Sequence, residues 1–176
     1  AGGHGVAHGG AGHHAAQRRG HHGHLCRAAG IAARIGHVPG HINGHGLGAL
    51  QVDINIDVFR KLNLEDYVLK KLSTTLVLSM RKNYTVARGL KYQFWVLMPD
   101  IIDETNLEIE LAKIKSVFQE GVTDNFNTHE VITSMGVTVF PDPARSAKKL
   151  IEQAIFAVKK AQEIKGNSLI MFDGRQ

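Results

Sequence analysis

Apolar and polar residues fall into regular rhythms only from Leu47 onward. Residues 47–56 are apolar, rich in β-prone side chains and closed by polar ones, which predicts a buried strand. Residues 58–81 carry Phe59, Leu62, Val68, Leu72 and Leu76 at helical spacing and predict one long helix. Two short strands follow at 84–88 and 93–98, joined through Gly89, Leu90 and Lys91 as a hairpin. Pro99, which lacks an N–H for the ladder, closes the second strand. Residues 105–119 place Leu107, Leu111, Ile114 and Phe118 on one helical face, with Glu108, Glu110, Lys113 and Lys115 elsewhere. Residues 131–140 form a strand ended by Pro141, Asp142 and Pro143. Residues 146–164 form a helix whose inward face is Leu150, Ile151, Ala154, Val158 and Ala161, and residues 168–172 form the last strand.

The order β-α-β-β-α-β-α-β, with a hairpin inside it, argues for an α+β fold. The expected architecture is a ferredoxin-like palm: a five-stranded, mainly antiparallel sheet with the hairpin of residues 84–98 at its heart, Trp95 in the core, and helices packed against it. A parallel doubly wound sheet is disfavoured. No run approaches the roughly 18 apolar residues of a membrane helix, so this segment is not expected to insert in a membrane. Cys26 is the only cysteine, which leaves no disulfide framework or thiolate cluster and fits a reducing cytoplasm.

The net charge of +5 suggests nucleic acid until its distribution is read. Residues 1–50 hold Arg18, Arg19, Arg27 and Arg34 and no acid, so the remainder is near neutral and a nucleic-acid partner is not expected. The same segment holds 14 of the 19 glycines and 10 of the 11 histidines, and it lacks Ser, Thr, Lys, Phe, Tyr and Trp. With so few large apolar side chains it cannot offset its ordering entropy, so residues 1–45 read as a low-complexity segment and residues 46–176 as the folded domain. Its histidines offer ligands for zinc, nickel or copper, but their spacing is irregular, and no metal site is assigned.

Four stretches carry a family resemblance. Residues 55–63, Asn-Ile-Asp-Val-Phe-Arg-Lys-Leu-Asn, fit a pattern D-x-D-x-F-K-x-I-N. Residues 81–99 fit R-x-x-D, three residues, R, one residue, G-G-D-E-F and an apolar strand ending in Pro, without a gap: Arg81, Tyr84, Arg88, then Leu90-Lys91-Tyr92-Gln93-Phe94 and on to Pro99. Residues 132–141 fit S-x-G-V…Y-P. The last helix fits L-L-x-x-A-D-x-A-L-Y-x-A-K and leads to Gly166-Asn167, where the family has G-x-N. Together these residues resemble the GGDEF domain of bacterial diguanylate cyclases, over residues 46–173. The family's opening L-T-G-L-x-N-R is missing from residues 1–45.

The resemblance implies a chemistry and assigns positions to it. A diguanylate cyclase joins two GTP molecules, one on each of two facing domains, into cyclic di-GMP. This phosphoryl transfer needs divalent metal held by carboxylates. The family's two metal carboxylates fall here on Asn55 and Tyr92, and its neighbouring acid on Gln93. Its hairpin glycines become Leu90 and Lys91, its late phosphate-binding Lys becomes Gln162, and a basic residue beyond becomes Ser168. What remains of the nucleotide site is Asp57 and Phe59 within the first pattern, Arg60 at a phosphate-binding position, Asn63 at a guanine-reading position, and Asp66 for a second guanine contact across a shorter loop. Arg81 is the remnant of the R-x-x-D product-inhibition site, whose acid is Tyr84.

The expected function is therefore a catalytically inactive GGDEF domain, with no catalytic residues and no metal, acting as a regulatory or protein-interaction module in cytoplasmic cyclic di-GMP signalling or polysaccharide export. Its partner would be another protein or a second copy of itself. The alternative is an effector that still binds GTP or cyclic di-GMP through Arg60, Asn63 and Arg81, with Mg²⁺ only if nucleotide binding is retained. An active cyclase is disfavoured. The sequence also predicts simpler structural roles: Asp57 as a helix cap, Arg60, Lys61, Lys70 and Lys71 as a solvated helix face, Lys159 and Lys160 likewise, and His129 alone in a polar loop.

Overall fold

The computed structural model describes residues 45–174. The elements run β1 (Gly46–Ile54), α1 (Asp57–Lys61), α2 (Glu65–Ser79), β2 (Thr85–Arg88), β3 (Gln93–Ile101), α3 (Glu104–Gln119), β4 (Val122–Thr123), β5 (Thr128–His129), β6 (Thr133–Phe140), α4 (Ala147–Gln162) and β7 (Ser168–Met171). The expected Gly/His-rich segment lies outside the described residues, apart from His45.

The main sheet has the order β2-β3-β1-β6-β7, antiparallel except for the β6–β7 pair. The expected five-stranded palm is therefore found, with one correction. The hairpin is not at its heart: β2 is an edge strand, and β1 is the centre, paired to β3 on one side and β6 on the other. Alternation along β1 explains its place. Leu50, Val52 and Ile54 point to the core shared with α2 and α3, while Leu47 and Ala49 point to the core beneath α4, so both faces are buried. Trp95 lies in that second core, as expected.

The sequence also misleads about boundaries. The helix expected over residues 58–81 is two helices, because Asn63 adopts a left-handed conformation (φ 54°) and the Leu64 N–H closes back on the Phe59 carbonyl at 2.8 Å. Leu62, expected inside, is half exposed as a result. Pro99 does not end β3; the strand continues to Ile101 through an irregularity in its pairing with β1 between Gly46 and Gly48. The small β4–β5 hairpin was not foreseen. Helices α3 and α4 start where side chains cap them: Asp103 accepts from the Asn106 N–H at 2.7 Å and Ser146 from the Lys149 N–H at 3.1 Å. Among the described residues no helix is long and apolar enough to cross a membrane.

Candidate functional site

Four pieces of chain meet at one end of the sheet: the end of β1, the short α1, the β2–β3 turn, and the C-terminal end of α4. Pairing fixes the first three. The Ile54 N–H bonds the Tyr92 carbonyl at 3.1 Å and the Asn55 N–H bonds the Ile132 carbonyl at 2.9 Å. Asn55 Oδ1 accepts from the Asp57 N–H at 3.1 Å. Asp57 does not fill the capping role expected of it: Ile56 is the N-cap, without a side-chain cap bond, and Asp57 is already inside the first turn, where its charge suits the helix dipole. Arg60 is exposed but not simply solvated. Its Nη2 donates to Tyr92 Oη at 3.3 Å, its Cζ stands 5.7 Å from the centre of the Tyr92 ring, and its Nη1 is 3.9 Å from Asp57 Oδ1.

The turn itself is held stiffly. Arg88 Nη2 donates to the Lys91 carbonyl at 2.8 Å, and the Gly89 N–H to the Gln93 carbonyl at 2.8 Å. Lys91 sits at φ 52°, a conformation that costs a non-glycine residue roughly 1–2 kcal/mol. Leu90 is 61% exposed at the tip.

Beneath the turn is a row of amides around one carboxylate that the sequence reading overlooked. Asp53 stands between Gln93 on β3 and Ser134 on β6. Gln162, from the end of α4, donates to Asp53 Oδ2, and Gln93 hydrogen-bonds the same carboxylate. Gln51 donates in turn to Gln93 Oε1 at 3.1 Å. Burial raises the Asp53 carboxyl above its ordinary range, and the two amides and the Lys91 charge offset that only in part. The available signal was an acid breaking the apolar run of β1.

The remaining expected residues do not all join this cluster. Phe59 is fully buried, with the His129 ring against its edge at 6.2 Å. Asn63 forms the break between α1 and α2, and Asp66 lies in the first turn of α2. Arg81 is apart, at the far end of α2, where its Nη2 meets Glu110 Oε1 at 2.9 Å. Lys113 reaches the same oxygen at 3.1 Å, and Tyr84 hydrogen-bonds the carboxylate. Glu110, expected off the inward face of its helix, is only 3% exposed. Burial pushes its carboxyl up, but the bonds from Tyr84 and Lys113 and the charges of Lys113 and Arg81 outweigh it and leave it below its usual range. Burial and the adjoining carboxylate push Tyr84 well above the usual tyrosine range.

His129 is not alone. Its Nε2 lies 2.7 Å from Asp124 Oδ2, while Asp124 Oδ1 accepts from the Phe126 and Asn127 N–H groups at 2.7 and 2.8 Å. The His129 bond first, and then the two turn N–H groups, lower Asp124 from 3.8 to about 2. A carboxyl lowered on folding contributes stability above its unfolded value and loses it as pH falls toward the folded one. The domain should therefore lose this contribution between pH 3.8 and about 2. Asp124→Asn keeps an oxygen for the turn and removes the charge. Thermal midpoints by circular dichroism should be lower for the variant at pH 7 and converge with the parent as pH falls through that window.

Among the described residues no group of three or more His, Cys, Asp or Glu side chains is placed to hold a metal ion. The comparisons with known proteins point one way. A family model described as "Diguanylate cyclase, GGDEF domain" matches residues 52–168. An EAL/GGDEF domain protein from M. capsulatus superposes with a TM-score of 0.69 at 20% identity, covering 85% of this chain and 96% of that one. The diguanylate cyclase SiaD from Pseudomonas aeruginosa, solved in complex with its activator SiaC, gives 0.68 at 15% identity over 90% of this chain and 67% of that one. The coiled coil and GGDEF domain of DgcB from Caulobacter crescentus, in complex with c-di-GMP, gives 0.65 at 14% identity over 90% and 93%. No curated protein matches the chain.

Proposed function

Because this chain belongs to the diguanylate cyclase GGDEF family, we propose that it serves cyclic di-GMP signalling as a non-catalytic, cytoplasmic regulatory or protein-interaction module. The observation that carries this reading is the pair Asn55 and Tyr92 at the family's metal positions. Mg²⁺ is a hard cation that needs anionic oxygen beside a triphosphate. Asn55 offers a neutral amide oxygen already spent on the Asp57 N–H, and Tyr92 offers a phenol bonded to Arg60. Asp53, a carboxylate beneath the turn, is engaged by Gln162 and Gln93. This donor set does not fit a divalent cation, and no step of a cyclisation is derived through one.

Both kinds of partner occur with this fold: SiaD is seen with an activator protein and DgcB with c-di-GMP. Two contacts favour the protein over the nucleotide here. Arg60, which would hold phosphate, stacks on Tyr92, and Arg81, which would hold cyclic di-GMP, is neutralised by Glu110. Ligand would have to displace partners already in place, and removing the inhibitory-site acid leaves no second fork for a guanine edge. Calorimetric titration of the chain with GTP and with cyclic di-GMP, with and without Mg²⁺, tests the choice. No saturable heat is expected up to about 0.1 mM ligand, a ceiling corresponding to roughly 5 kcal/mol of binding. Micromolar binding abolished by Arg81→Ala would replace the interaction module with a nucleotide effector.

A further inference from the structure

At the end of the sheet away from the hairpin, where β3 runs into α3 and β6 turns toward α4, the described residues surround a hollow of about 360 Å³, within the size range of ligand pockets. Ile101, Val139 and Phe172 give it apolar walls, and Ile102, which also lines it, is 65% exposed. Its charged lining has one sign: Asp103, Glu104 and Asp142, with no Lys or Arg. Asp103 is engaged in capping α3. Glu104 and Asp142 are exposed and form no ion pair among the described residues. Arg145 and Lys149 belong to a neighbouring hollow that shares Asp142, and Lys149 is already paired with Glu152 at 3.5 Å.

Gly46, the first residue of β1, lines the same hollow, so the chain enters the fold beside it. His45 Nδ1 lies there, 3.8 Å from Asp100 Oδ1. Directly upstream stand Ile31, Ile35, Val38 and Ile42, which leave only Val6 and Leu25 as large aliphatic residues elsewhere before His45. Arg34 is among them, and residues 1–44 contain no acid at all. The chain next to the hollow thus brings aliphatic side chains to its apolar walls and a cation to its carboxylates. Such a segment cannot offset its ordering entropy alone. Tethered beside a preformed surface at an effective concentration on the order of millimolar, it needs only weak intrinsic affinity.

We propose that residues 34–42 dock onto this hollow of their own chain, with Ile35, Val38 and Ile42 against Ile101, Ile102 and Phe172, and Arg34 toward Glu104 and Asp142. The stretch from Arg34 to Gly46 reaches about 40 Å when extended, so the tether does not limit the contact. The docking stands whether or not the hairpin end binds nucleotide.

Paramagnetic broadening of amide signals in the full chain tests this. Cys26 is the only cysteine, so Cys26→Ser with Ala33→Cys places a single nitroxide beside Arg34. The amides of Ile102, Glu104 and Val139 should lose most of their intensity, while that of Leu90 at the opposite end of the sheet keeps its own. The loss should weaken at about 0.5 M salt, where exposed charges are screened. Arg34→Glu should abolish it, and so should Glu104→Lys with Asp142→Lys; Asp103 is left in place because it caps α3. All three substitutions together should restore it, which also shows that the reversed-charge chains are folded. Broadening that spreads evenly over the domain overturns the proposal, as does broadening that the reversals leave unchanged or that their combination does not restore. Broadening passed from a nitroxide-bearing chain to an isotope-labelled chain without one would place a second copy's segment in the hollow and overturn the intramolecular contact.

Discussion

Purified chain incubated with GTP and Mg²⁺ or Mn²⁺ should yield no cyclic di-GMP. Removing one preorganised electrostatic group from an active site typically costs roughly 3–4 kcal/mol, on the order of a thousandfold in rate. By the family resemblance Asn55, Tyr92, Gln93 and Gln162 fall where the pattern has a charge, so on that reading activity should be undetectable even with strong non-additivity. The structure strengthens the argument by giving each replacement a job. Gln93 and Gln162 bind Asp53 and tie β3 and α4 to the central strand. Tyr92 engages Arg60, and Asn55 accepts from the Asp57 N–H before α1. For that reason Asn55→Asp with Tyr92→Asp should not rescue turnover. The restored carboxylates would lack a phosphate clamp at residue 162 and would face a turn filled by Leu90 and Lys91. Chromatographic detection of product from the parent chain, abolished by Asp57→Ala, would show that the second acid of the first pattern had become a metal ligand and would overturn the assignment.

How much of this was legible beforehand depended on whether the determining contact was local. Apolar periodicity located α3, α4 and every strand of the main sheet, because one buried face repeats within each element. Periodicity was misread at Asn63: Val68 stands about 180° around an ideal helix from Phe59, and the left-handed backbone of Asn63 separates the two helices. Periodicity did not reveal strand order. The hairpin looked central because its sequence is apolar, yet β2 has four half-buried residues at an edge, while β1 is buried on both faces. Site positions were legible as replacements within a family pattern, but their new partners were not. Gln162 is 109 residues from Asp53, and Glu110 is 29 from Arg81. Pairings at such separations leave no periodic trace, so an acid in an apolar strand or on a helix face reads as a solvated charge until the fold closes on it.

The glycine of the S-x-G-V stretch has the same non-local character, and its replacement should give the largest loss of stability. Gly136 on β6 lies directly beneath α4, where an added Cβ would stand 2.3 Å from the Val158 nitrogen and 2.5 Å from the Ala154 oxygen. Both are backbone atoms of a helix whose facing residues, Ala154, Ala157 and Ala161, are already small and buried. No rotamer change can make room, so α4 must move. Moving it strains the 2.7 Å bond between Thr138 and Gln153 and the Gln162–Asp53 contact. Overpacking against side chains costs roughly 1–3 kcal/mol. Against fixed backbone, Gly136→Ala should reach the top of that range and Gly136→Val exceed it, a large part of the 5–15 kcal/mol typical of a domain. Gly48→Ala is the comparison: its Cβ would meet the terminal methyl of Met98 at 3.0 Å, an atom that can swing away, so its cost should stay near 1 kcal/mol or less. Urea unfolding should show the midpoint falling far more for Gly136→Ala than for Gly48→Ala, with slopes unchanged. Equal shifts would mean that α4 rides loosely on β6, and that the amide network at its C-terminal end is not a fixed replacement for the family's charged site.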